Sequence, residues 1–181
     1  MSWAGRMGAV WGFCGVFALI GSACWRLGQI GVEALNGTYA IVWYHWAFLV
    51  PWVLFMGMSE GYRGFQQAFS PRVVARAKYL ASHPSVARVL LAPLFCMGFF
   101  HATKKRRIVA FCLTGGILVL VLLVRLLPQP WRGLVDVGVV VGLGWGLAAM
   151  LVFAVQALTG PFDVSPETPD DPLPRPKAAE G

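Results

Sequence analysis

The chain has 181 residues, 57% of them hydrophobic and 13% charged, with a mean hydropathy of +0.65. Soluble domains carry about 25% charged residues, so this composition cannot coat a soluble fold and predicts an all-α integral membrane protein. The net charge of +7 does not argue for nucleic acid, because its excess sits in one segment between apolar runs, where membrane orientation accounts for it.

The first uncharged run lies between Arg6 and Arg26. It predicts a span over 7–26, since crossing a bilayer takes roughly 20 apolar residues. Gly21-Ser22-Ala23-Cys24 also resembles a lipoprotein-type cleavage site, but Gly21 stands where a branched apolar residue is usual. The second run, between Glu33 and Glu60, predicts a span over 36–58, with Pro51 inside it as a kink.

A basic segment follows over 59–107. Nine cations face one acid there, Glu60, a net +8 that the positive-inside rule places in the cytoplasm. Ser70-Pro71 reads as a helix start, and the next residues put Val73, Val74, Ala77, Leu80 and Ala81 on one face and Arg72, Arg76 and Tyr79 on the other. Such an amphipathic helix lies either on the membrane surface or against the protein's own spans. The apolar stretch 89–103 is short for a crossing and is flanked by cations on both sides. It reads as a re-entrant or interfacial segment, with a fifth span as the alternative.

Two further runs predict spans over 108–127 and 135–159. The expected architecture is thus four transmembrane helices, a cytoplasmic amphipathic helix and the re-entrant segment, all within a membrane domain over 1–159. Both termini are expected on the cytoplasmic side of a cell membrane of the bacterial inner type. Residues 160–181 hold six prolines and five acids, which predicts a disordered acidic tail.

Candidate sites are few. Gly138, Gly142 and Gly146 recur every four residues in the last span, a spacing that lets membrane helices approach closely, within one bundle or between two copies. His45 lies inside the second span beside Trp43, Tyr44 and Trp46. Hydrogen bonding within the bundle is the simpler reading of a neutral imidazole there, with ligation of a haem or chlorin as the alternative. No cofactor is otherwise expected. The cations Arg72, Arg76, Lys78, Lys104, Lys105, Arg106 and Arg107 are candidates for contact with anionic lipid or a partner protein. Cys14, Cys24, Cys96 and Cys112 show no metal-ligand spacing, and no catalytic constellation is visible.

Two functional classes follow. One is a non-enzymatic accessory or scaffold subunit whose basic segment contacts anionic lipid or a partner, with other membrane subunits or a second copy packing on its spans. The other is a small transporter, channel or cofactor-binding protein using His45.

Overall fold

The computed structural model describes residues 3–169, and all regular structure among them is helical. The helices are α1 (Trp3–Leu35), α2 (Trp43–Met56), α3 (Ser70–Ser82), α4 (Val86–Leu90), α5 (Ala92–Met97), α6 (Lys104–Arg125) and α7 (Trp131–Thr159), with a π-helical segment, Gly57–Phe69, joining α2 to α3. Three of these, α1, α6 and α7, are long and apolar enough to cross a membrane. Their lengths of about 50, 33 and 44 Å exceed a hydrocarbon core of about 30 Å.

The second expected span departs from this pattern. Residues 36–42 form a turn in which Gly37 takes φ +80, so α2 starts only at Trp43 and is α-helical for 14 residues. That is about 21 Å, short of a bilayer. The helical path does not stop at Met56, however. It widens into 13 residues of π-helix and then resumes as α3. Residues four apart stay closer to one face in the wider coil, and Gly57, Gly61 and Phe65 all meet α7.

Close approach of backbones holds the bundle together. On α7, a Cβ at Gly138 would collide with Trp52, one at Gly142 would lie 3.1 Å from Glu60 Cβ, and one at Gly146 would lie 2.5 Å from the Phe65 ring. The glycine stripe therefore packs within the chain's own bundle. Trp52 Nε1 adds a hydrogen bond of 3.0 Å to the Val135 carbonyl. α1 crosses α7 antiparallel: Gly31 meets Val137, Ala34 meets Gly133, and Val16 shares a core with Met150.

The first half of α1 carries a second glycine face. Gly8 meets Leu80 and Val89, Gly12 meets Ala92 and Cys96, and Gly15 meets Pro93. This face receives α3, α4 and α5. The stretch 89–103 does not form a spanning helix, because α4 and α5 contain five and six residues and the chain turns at Gly98 with φ +89. The same packing decides the fate of the amphipathic helix. Val73, Ala77 and Leu80 belong to the core with Val16 and Phe95, so the apolar face of α3 covers the protein's own helices rather than a lipid surface.

α6 starts at Thr103, whose hydroxyl accepts from the Arg106 N–H at 3.4 Å. It then runs nearly alone, with only Arg106 and Ala110 buried. The tail, expected to be disordered over 160–181, has no regular secondary structure over 161–168 but is held by hydrogen bonds to the basic segment; residues 170–181 lie outside the described residues.

Replacing Gly142 with Leu should destabilise the protein by about 1–3 kcal/mol, as overpacking of a close-fitted interface does, while leaving its migration on a native gel unchanged. Thermal unfolding in mild detergent measures the loss. An unaltered melting temperature would mean that α7 and the π-helical segment are not in contact there.

Candidate functional site

The packing of α3 and α5 on α1 places Arg76 in the interior, with only 1% of its surface exposed. A guanidinium has five N–H donors and no acceptor, and burying it without partners is costly. The partners are backbone carbonyls. Arg76 Nε donates to Phe95 at 2.6 Å, Nη1 to Pro166 at 2.8 Å, and Nη2 to Phe100 at 3.0 Å and His101 at 3.1 Å. Its Cζ lies 4.2 Å from the centroid of the Phe95 ring, a cation–π geometry. The left-handed turn at Gly98 ends α5, with the Gly98 N–H donating to the Phe95 carbonyl at 3.0 Å, and Arg76 gathers that carbonyl together with those of Phe100 and His101 beyond the turn. Burial lowers the Arg76 pKa to about 10, which leaves it charged at physiological pH. Beside it, burial raises the Cys96 pKa to about 12, so this thiol behaves as a small apolar group.

The tail closes this end of the bundle. Beyond the Pro166 carbonyl on Arg76, the Glu167 carbonyl accepts from the Thr103 N–H at 3.1 Å. The Glu167 carboxylate lies 3.3 Å from Arg72 Nε and 3.8 Å from Arg106 Nε. Glu167 itself has φ +50, an uncommon conformation for a residue with a side chain.

The expected lipid-facing cations therefore divide into two groups. Lys78, Lys104, Lys105 and Arg107 are exposed. Arg76 and Arg106 are buried, and Arg72 is half-buried against Glu167, so a surface role does not describe these three. The amphipathic reading of α3 counted Arg76 as polar surface because it did not include a cover from α5 and the tail. The signal available in the sequence was the apolar stretch just downstream, too short to span and needing something to pack against.

His45 is also buried, at the other end of the bundle. Its Nδ1 accepts the Val42 N–H at 3.1 Å, and its ring lies 4.4 Å from Tyr44 and 4.9 Å from Trp131 between centroids. It caps the start of α2 from the third helical position. An Nδ1 that accepts puts the ring proton on Nε2, whereas a haem ligand needs Nε2 bare and Nδ1 as the donor. The residue as placed does not fit haem or chlorin ligation. Among the described residues there is no group of three or more His, Cys, Asp or Glu able to hold a metal ion.

Comparison with protein-family models, with curated proteins and with solved structures finds no match to this chain.

Replacing Arg76 with Met should cost about 3 kcal/mol of stability, since it removes the buried cation whose N–H groups serve the Phe95, Phe100 and Pro166 carbonyls. Lys should rescue little, because a single ammonium cannot span acceptors on α5, the following loop and the tail. Chemical or thermal unfolding in detergent, with proteolysis of the tail as a second readout, checks both variants. Wild-type stability in the Met variant would refute the role.

Proposed function

We propose that the protein is a non-enzymatic, four-span scaffold of a cell membrane, with both termini in the cytoplasm and a basic end that contacts anionic lipid. The observation that carries this reading is the division of the cations. Lys78, Lys104, Lys105 and Arg107 remain exposed at the end of the bundle that also holds the start of α1, the whole of α3 and the segment after α7. An anionic leaflet attracts such a cluster with about 1 kcal/mol per cation. Three of the buried polar side chains support a scaffold rather than a transporter, because they are engaged in holding the structure: Arg76 on carbonyls, His45 on Val42 and Ser70 on the Gly146 carbonyl at 3.3 Å.

The fourth span in this reading is the uncharged part of the α2 path, residues 43–59. It reaches about 25 Å, within what local bilayer thinning and flanking anchors accommodate. Residues 86–103 then form a plug that enters from the cytoplasmic side along the glycine face of α1. This topology keeps the net +8 of the basic segment on one side.

Reporter fusions after residues 60, 104 and 160 should all show cytoplasmic activity, and fusions after 38 and 128 should show the opposite. Discordant results at 60 and 104 would overturn the topology. Changing Lys104, Lys105 and Arg107 together to Gln should weaken retention of anionic lipid by about 3 kcal/mol, at about 1 kcal/mol per cation, without altering insertion. Lipid retention equal to wild type would make an acidic partner protein the better reading of this end.

A further inference from the structure

Arg72 Nε and Arg106 Nε approach the two oxygens of the Glu167 carboxylate. Among the described residues, two guanidiniums thus share one carboxylate. Arg106 exposes only 8% of its surface, yet its Nε has no hydrogen bond, and its 3.8 Å approach to Glu167 is too long for one. The Thr168 hydroxyl, 2% exposed, is likewise unpartnered. Buried donors left open in this way are rare in folded proteins. The carboxylate beside Arg106 is carried by a residue held at φ +50, a conformation that surrounding contacts must impose. A donor set this incomplete, around an occupant this constrained, is built for an anion with more oxygens and more charge than a carboxylate has.

We propose that Arg72 and Arg106 form a phosphate site at the basic end of the bundle, beside the Arg76 anchor, and that Glu167 is its internal competitor. A phosphate monoester, on a lipid headgroup or on a soluble molecule, offers three terminal oxygens and a charge of nearly −2, where a carboxylate has two oxygens and a charge of −1. It can therefore bridge the forked donors of two arginines where the Glu167 oxygens leave one donor unsatisfied. The Pro166 carbonyl stays on Arg76 when Glu167 swings out, so the tail remains tethered while the site opens. The phosphate comes either from a phospholipid headgroup or from a soluble phosphate ester. The first source rests on the lipid reading of the exposed cations, whereas the site itself does not.

The test uses the full chain purified in uncharged detergent. Binding of inorganic phosphate and of a short-chain anionic phospholipid is followed by equilibrium dialysis and by line broadening in phosphorus NMR, at fixed ionic strength. Glu167→Gln keeps the side chain's shape and removes its charge, and it should bind phosphate about tenfold more tightly than wild type, a shift of about 1.4 kcal/mol. Adding Arg72→Gln to that variant should abolish the gain. Arg72 is the half-exposed member of the cluster, so this change spares the core, and a melting curve confirms folding. Tighter binding of the phospholipid than of inorganic phosphate assigns the site to a headgroup, and the reverse assigns it to a soluble ester. Equal affinity in wild type and Glu167→Gln, or a gain that survives Arg72→Gln, would overturn the proposal. The Lys104, Lys105 and Arg107 variant leaves both arginines and Glu167 intact, so failure of the surface-lipid reading is visible separately.

Discussion

A buried guanidinium organises this molecule. Arg76 stands on a helix whose apolar neighbours fill the core between α1 and α7, so it cannot withdraw to solvent without dismantling that core. Its donors must then be met inside, and the four carbonyls that meet them come from α5, the loop after Gly98 and the segment after α7. Two stretches far apart in sequence, 95–101 and the segment around Pro166, are thereby fixed against one side chain. Neutral carbonyls make such burial tolerable, because each hydrogen bond is charge-assisted and none of them adds a second desolvated ion.

The remaining architecture depends on how closely backbones approach. Apolar surface gives no strong drive for helix association in lipid, and contact has to come from packing and hydrogen bonds. α7 meets this condition with Gly138, Gly142 and Gly146 against Trp52, Glu60 and Phe65, and α1 meets it twice, with Gly31 toward α7 and Gly8, Gly12 and Gly15 toward α3–α5. α6 has a glycine pair as well, but nothing lies within 4 Å of where a Cβ would stand on Gly115 or Gly116. It stays apart, with an apolar surface of the kind lipid tails cover.

Charge is partitioned along the same lines. The basic segment reads as one block of cations, yet its members differ in kind once folded. Arg72, Arg76 and Arg106 are internal and converge on the tail, Arg88 bonds to the His83 carbonyl and the His101 ring, and the lysines with Arg107 remain on the surface. Cohesion of the bundle and exposure to the surroundings therefore fall to different residues of the same run. The strap of Pro166 and Glu167 connects them, since it satisfies a structural arginine with a backbone carbonyl and covers the others with a carboxylate.

By itself, the sequence determined the helical class, three of the helices that can cross a membrane, and the small-residue stripe of α7. These are properties of composition and local spacing, since glycines four apart share a face in any helix; run length alone was not enough, because the uncharged stretch between Glu33 and Glu60 turns at Gly37 and gives an α-helix of 14 residues. Only the tertiary structure decided what each face meets. It placed the stripe within the chain, turned Gly8, Gly12 and Gly15 into a seat for α3–α5, and converted Arg76 from apparent surface to core. It also gave His45 to a helix cap and drew part of an acidic tail onto the basic segment. Helical periodicity records which residues lie together on an element but not how many sides of that element are covered, and α3 is covered on both.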